Sequence, residues 1–281
     1  MENEMNEAVL TNTSNINISV DKTLKGVGQF WFLVAFIGQF IFAFYITTFY
    51  GVSAIKGNFE MWNSVLPSGY IPGDTIGNIA VAMHVLFAAI ITLCGPLQLI
   101  PQIRNRMPKF HRFNGRLYMI TAFIMALGGL YMMITRGAVG AFITHISLAI
   151  NALLIVIFVI QTVRFAIARK INIHRRWAIR LFLVVSGVWF YRVGLMLWLF
   201  IHGGPVGFDM ETFSGPFLTF LSFSTYLLPL FVFELYSFAK EKSNTTVKIA
   251  MSVGLFILSC AMAVGIFVAA MGMWLPRILN V

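Results

Sequence analysis

The sequence predicts an all-α integral membrane protein, a bundle of about seven transmembrane helices with an internal two-helix repeat. Of the 281 residues, 59% are hydrophobic and only 11% are charged, whereas a soluble domain carries about 25% charged residues. The apolar residues form continuous runs of about eighteen residues or more, which can cross a bilayer as helices. Such runs lack the alternation of the strands in a membrane β-barrel.

Five segments follow one another along the chain. Residues 1–26 are polar and rich in asparagine, so we expect a disordered tail. Residues 27–50 form the first span, and residues 51–76 form a loop on the outer face. This loop is either a lid over the helix ends or an aromatic anchor among lipid head groups. Residues 77–202 form a four-helix core that carries histidines, and residues 203–281 hold the last two spans. The seven predicted spans lie at about 27–50, 77–101, 115–135, 138–165, 178–201, 216–238 and 249–273.

The basic residues are concentrated in the turns on one side of this arrangement. Sixteen of the 20 lysine and arginine residues lie on that side. By the positive-inside rule, the N-terminus is cytoplasmic and the C-terminus is outside. The net charge of +10 therefore reflects topology and contact with the anionic lipids of the bilayer. Because the charge lies in short turns between spans, it gives no support to a nucleic-acid partner.

Four of the five histidines occupy equivalent places in two copies of one pattern. Each copy has a histidine within an apolar run, then a basic turn, then a second histidine that opens the next run. His84 and His111 are 27 residues apart, and His145 and His174 are 29 residues apart. His84 and His145 therefore lie at similar depth near the outer face, and His111 and His174 lie near the inner face. Ionisable residues inside a membrane are costly and usually mark a functional site.

Two imidazoles on facing helices can hold one haem iron between them. We therefore expect one or two haem b groups, with these four histidines as metal ligands. The protein would then move electrons from a quinol or a cytoplasmic donor to an acceptor at the opposite face. This activity would make it a membrane oxidoreductase. Five arginines are candidates to bind haem propionates, lipid phosphates or a quinone head group: Arg112, Arg116, Arg175, Arg180 and Arg192.

The order of helices and histidines over residues 77–202 resembles the di-haem cytochrome b561 family, whose members carry electrons across a membrane. That resemblance implies that His84 pairs with His145, and that His111 pairs with His174. Separately, the strings GPLQL, HRFNGRLY and HRRWAIR resemble an uncharacterised bacterial membrane family, DUF-2306. This second resemblance spans most of the chain, implies the bacterial cytoplasmic membrane, and brings no assigned activity.

Other interpretations of the histidines stay open. His84 and His145 could form interhelical hydrogen bonds, and His111 and His174 could simply belong to basic turns at the membrane boundary. The two levels are separated by roughly 25–35 Å along a helix, which is long for direct transfer between haems. A haem-free small transporter, lipid-binding protein or assembly factor would use the histidines and arginines as a polar site. A histidine-bound zinc ion needs more ligands at one level than the two found here.

Overall fold

The computed structural model describes residues 2–66, 68–137, 140–242 and 244–281, with side chains described from residue 18 onward except that of residue 242. The chain is almost entirely helical, which confirms the predicted fold class. Its long helices are α1 (Glu2–Ile55), α2 (Thr75–Leu99), α4 (Pro108–Arg136), α5 (Phe142–Ile167), α6 (Ile171–Val185), α7 (Gly187–His202), α8 (Pro216–Lys242) and α9 (Thr245–Ala269). The short elements are a 3-10 helix (Phe59–Ser64), α3 (Pro101–Arg106), a π-helical turn (Ala270–Trp274) and α10 (Leu275–Leu279).

Within the described residues, six helices are long and apolar enough to cross a membrane. The pair α6 and α7 makes a seventh span when it is counted as one bent helix. The helices pack in a ring, because α1 contacts α2 and α9, α4 contacts α2 and α5, α8 contacts α5 and α6, and α7 contacts α8 and α9. A ring of this kind can enclose space at its centre.

The fifth predicted span is broken in the middle of the bundle. The axes of α6 and α7 differ in direction by 51° at Ser186. The Nε2 group of Gln39, which is 3% exposed, donates a hydrogen bond of 2.8 Å to Oγ of Ser186. Gly187 follows, and a Cβ at this position would stand 3.2 Å from Nδ2 of Asn151. A buried polar contact and a close helix approach thus stabilise a bend that hydropathy alone does not reveal.

The N-terminal segment differs from the prediction. We expected disorder through residue 26, whereas α1 includes this segment. Asp21 accepts a hydrogen bond of 2.6 Å from Nζ of Lys248 at the start of α9, and Leu24 is only 2% exposed. These contacts order residues 18–26 as a continuation of the first span. The side chains of residues 1–17, most of the expected tail, lie outside the described part.

The outer loop packs onto the protein. Trp62 is 5% exposed, and its ring meets Tyr50 of α1 edge-on at a centroid distance of 5.6 Å. Arg136, at the end of α4, donates to the carbonyl oxygens of Ser68 (2.8 Å) and Gly69 (3.2 Å). Trp62 is therefore part of the core, and the two alternatives for the loop, a lid or an aromatic anchor, stay predictions.

Candidate functional site at the basic end of the bundle

The ring of helices lines a partly open cavity of about 1670 Å³. It extends from the basic turns past the α6–α7 break, where Val193, Gly194 and Leu197 of α7 line it. Most of its wall is apolar, and its polar groups are concentrated near the turns. Ligand pockets for drug-sized molecules occupy about 300–1,000 Å³, so this cavity has room for a molecule with a long apolar part.

The two inner histidines line this one cavity. His111 lies in the first turn of α4 and His174 in the first turn of α6. Nδ1 of His174 is 2.9 Å from the carbonyl oxygen of Thr162. Because a carbonyl oxygen only accepts, Nδ1 of His174 carries a proton and donates it in this contact. The structure therefore places the two inner imidazoles beside the same space, within electrostatic range of each other.

Three buried polar atoms on the cavity wall lack hydrogen-bond partners among the residues that the structure describes. They are Nε2 of Gln98, Nδ1 of His111 and the hydroxyl of Tyr118. Gln98 lies near the end of α2, and the two others lie on α4 within two helical turns of each other. An unpaired buried donor or acceptor costs about 1–3 kcal/mol. Three such atoms therefore share one wall of the cavity, each without a partner among the described residues.

A cluster of cations surrounds the same end of the cavity. Arg104 of α3 lies close to Arg175 of α6, and burial together with this neighbour lowers the pKa of Arg104. The two like charges disfavour each other unless an anion lies nearby. No acidic side chain is among the described residues that line the cavity. The basic residues that line it are Lys25, Arg104, Arg112, Arg116 and Arg175.

Two of the five predicted arginines lie elsewhere. Arg180 forms a two-pronged ion pair with Glu234 of α8, with Nε–Oε1 and Nη2–Oε2 distances of 2.7 and 3.1 Å. Its guanidinium also stacks over the ring of Trp177 at 4.7 Å. Arg192 lies on α7 among aromatic side chains of α1, above the level of the α6–α7 break. Arg180 therefore ties α6 to α8, and only Arg112, Arg116 and Arg175 of the predicted set line the cavity.

The outer histidines are placed on two helices that both contact α4. His84 of α2 packs over Gly129 of α4, with Cε1 3.7 Å from the position of a Cβ at this glycine. His145 is half-buried on α5, and α5 also packs against α4. Gly129 thus allows His84 to pack closely against α4. The pairing of His84 with His145 around one iron stays a prediction.

The histidines and arginines of the cavity can be compared with the residues that metal ions and haem require. In the described part of the chain, no three His, Cys, Asp or Glu side chains come together as a group that could hold a metal ion. A haem needs only two axial imidazoles, an apolar slot and cations for its propionates. His111, His174 and the neighbouring arginines fit that donor set, since His174 is oriented through Nδ1 and Nδ1 of His111 is unpaired.

The fold and the cavity define a multi-pass α-helical membrane protein embedded in a lipid bilayer. Residues 81–215, slightly less than half of the chain, match the model of a family described as "Predicted membrane protein (DUF2306)". This segment contains all four histidines of the repeat and the arginines of the cavity. No curated protein and no solved structure matches the chain. The resemblance to cytochrome b561 therefore stays a prediction.

Sequence reasoning missed part of this site. Tyr118 is the last residue of the string HRFNGRLY, which carries the family resemblance. Its place in that string was the signal that could have marked it as a site residue. Asn114 of the same string is 4% exposed and donates a hydrogen bond of 3.0 Å to the carbonyl oxygen of Cys94, which ties α4 to α2. Arg104 and Lys25 were assigned only to topology, because nothing in a linear sequence shows that their turns meet at one cavity.

Proposed function

We propose that the protein binds an amphiphile with an anionic head group, of the phospholipid class, inside the bundle. The head group lies near Arg104, Arg112 and Arg175, and the apolar chains extend toward the α6–α7 break. The single observation that carries this proposal is the set of three buried, unpaired polar atoms on an apolar cavity wall beside a cluster of cations. This function belongs to the haem-free class that the sequence left open.

The chemistry of the wall selects for an anionic head. Gln98 Nε2 can only donate, and the Tyr118 hydroxyl can donate to a phosphate oxygen. The arginine guanidinium groups pair with phosphate through two parallel hydrogen bonds, which fixes the orientation of the head group. The apolar walls between α1, α6 and α8 accept acyl chains at little cost, because lipid tails and the cavity wall are similarly apolar.

A titration of thermal unfolding tests the proposal. The delipidated full chain in detergent is titrated with phosphatidylglycerol and with phosphatidylcholine of the same acyl chains. We expect phosphatidylglycerol to raise the unfolding temperature with saturation, and phosphatidylcholine to do so more weakly. Equal effects of the two lipids would contradict a site for an anionic head.

A matched pair of variants localises the effect. Arg175 lines the cavity, whereas the next residue, Arg176, forms an ion pair with Glu241 of α8. An exposed charge contributes up to about 1 kcal/mol, so Arg175→Gln should raise the half-saturating lipid concentration by about fivefold. Arg176→Gln removes the same charge and should leave it unchanged. Identical shifts in both variants would show that only the general surface charge matters.

Haem b is the second candidate, since His111 and His174 line one cavity and the contact of His174 Nδ1 with the Thr162 carbonyl oxygen directs its Nε2 away from that helix. When bound, the haem would supply one-electron chemistry. The chain would hold its iron through the two imidazoles and its propionates through Arg112, Arg116 or Arg175. A quinol or cytoplasmic electron donor belongs to this candidate. Independently of haem, we propose from the distribution of basic residues that the basic turns and the N-terminus face the cytoplasm, and from the family resemblance that the membrane is the bacterial inner membrane.

An absorption spectrum decides between the candidates. If haem b is bound, the purified chain shows a Soret band and, after dithionite, a sharpened α band. His174→Ala should remove the inner haem signal and His84→Ala should remove that of an outer haem. His202→Ala is the control, because His202 lies at the end of α7 with Nδ1 3.0 Å from the carbonyl oxygen of Trp198. A chain that stays colourless after incubation with haem b contradicts the haem candidate and leaves the lipid proposal standing.

A further inference from the structure

A second polar cluster surrounds Arg192, a residue that does not line the cavity. Arg192 of α7 projects toward α1, where its guanidinium carbon is 5.5 Å from the centre of the Phe42 ring. Arg277 of α10 is within electrostatic range of Arg192. Of the residues described, no acidic side chain forms an ion pair with either arginine. Two cations therefore share one region of the bundle, and neither has an acidic side chain paired with it in the described part of the chain.

The hydrogen-bond donors around these arginines are also unsatisfied. Arg192 donates to the carbonyl oxygen of Val188 at 3.2 Å, which uses one of its several N–H groups. The Tyr45 hydroxyl lies within reach of Arg277, and its own proton has no acceptor among the described residues. Nε1 of Trp274 likewise has no acceptor within the described ranges. Tyr45 and Trp274 are each 1% exposed, and their ring centroids are 6.2 Å apart.

The cluster combines an excess of donors with a lack of acceptors. Two guanidinium groups, a phenol and an indole can all donate, and a single oxyanion can accept from several of them. Isolated charges in a membrane interior are expensive, so an arrangement with two unpaired cations is stabilised by an anion. Both arginines are only partly buried, which leaves a path for such an anion to reach them.

We infer that Arg192, Arg277, Tyr45 and Trp274 form a binding site for a small oxyanion, a carboxylate or a phosphate group. The planar guanidinium groups match the two-oxygen edge of these anions, and the aromatic rings of α1 exclude water from it. The anion is either a free solute or the head group of a lipid from the nearer leaflet. This site is separate from the cavity at the basic end and does not depend on the function proposed there.

The test follows thermal unfolding of the delipidated full chain at constant ionic strength. Sodium acetate or sodium phosphate replaces sodium chloride stepwise, and phosphatidylglycerol is added in a parallel series. Only a rise that Arg192→Gln abolishes is assigned to this cluster, because phosphatidylglycerol is also expected to bind in the cavity. Such a rise with acetate or phosphate identifies a free solute, and such a rise with phosphatidylglycerol alone identifies a lipid head group. The inference is overturned if neither series shows a rise in unfolding temperature that depends on Arg192.

Variants assign the effect to the cluster. Arg192→Gln should raise the half-saturating anion concentration at least tenfold. Without anion, the unfolding temperature of this variant should equal or exceed that of the wild type, because an unpaired cation has been removed. Arg277→Gln, near the end of the chain, provides a second variant with the same expected loss of response. Arg164→Gln is the control, since Arg164 also lies over a phenylalanine ring, 5.7 Å from that of Phe165, at the opposite end of the bundle. An unchanged anion response in both cluster variants, or an equal loss in the control, overturns the inference.

Discussion

Tyr118→Phe offers a sharp prediction because it removes one unpaired polar atom without changing the shape of the side chain. Tyr118 is 5% exposed, and its hydroxyl lacks a partner in the described part of the structure. Burying such a group costs about 1–3 kcal/mol in the ligand-free protein. We therefore expect the ligand-free variant to be more stable by about 1 kcal/mol, which raises the unfolding temperature by about 2–4 °C.

The same substitution should weaken ligand binding. If the Tyr118 hydroxyl donates to the head group, its loss removes about 1 kcal/mol of binding free energy and raises the half-saturating phosphatidylglycerol concentration by about fivefold. Thermal unfolding of the delipidated chain, with and without lipid, measures both effects in one experiment. The two effects have opposite signs, which a general loss of packing does not produce.

Tyr226→Phe is the matched control for this prediction. Tyr226 is 1% exposed and belongs to the same apolar core, but its hydroxyl accepts a hydrogen bond of 3.3 Å from Ser147. Removing that oxygen leaves the Ser147 hydroxyl without its acceptor, so Tyr226→Phe should lower the unfolding temperature and leave lipid affinity unchanged. If Tyr118→Phe instead destabilises the ligand-free chain as Tyr226→Phe does, and lipid affinity stays the same, Tyr118 does not face a ligand and the reasoning is refuted.

The remaining predictions concern the outer loop and helix packing. Hydrogen bonds from Arg136 and from the backbone N–H of Gly77 lower the pKa of Asp74, so its stabilising effect is present above the unfolded pKa of about 3.9 and is lost as pH falls through the lower folded pKa. Acid unfolding curves of the wild type and Asp74→Asn should therefore differ above that range and converge below it; parallel curves at all pH values would contradict this assignment. In the core, a Cβ at Gly265 would stand 2.7 Å from the carbonyl oxygen of Val193, so Gly265→Ala should cost about 1–3 kcal/mol by separating α9 from α7. Gly254→Ala on the same helix meets nothing within 4 Å, and an equal unfolding temperature for both variants would refute the packing argument.

The membrane spans could be predicted from the sequence because their length and composition are set by the bilayer itself. Each span needs an apolar run, and every interruption must place its polar backbone near water or protein. Pro108 is the first residue of α4, where a proline's missing N–H costs nothing. Asn172, a residue type that often caps helices, instead lies within α6, which begins at Ile171. Helix ends depend on local backbone geometry that hydropathy does not encode.

The candidate site could be predicted only in part. The repeat drew attention to His111 and His174, and the structure brings these two residues to one cavity. It could not show the break at Ser186, because that bend depends on a contact with Gln39, which lies 147 positions away in the sequence. It also could not show that Arg180 pairs with Glu234, because long-range pairing of charges follows from how the helices pack. The unpaired polar atoms of Gln98 and Tyr118 emerge only when their surroundings are known.

Native mass spectrometry of the purified chain, released gently from detergent, tests the central claim most directly. We predict a population with one bound anionic amphiphile that persists after zwitterionic lipids are removed. In Arg175→Gln this population should decrease, and in Arg176→Gln it should match the wild type. A chain that carries zwitterionic lipids equally well, or one whose anionic lipid is retained to the same extent in both variants, would contradict the claim that the basic end of the cavity binds an anionic head group.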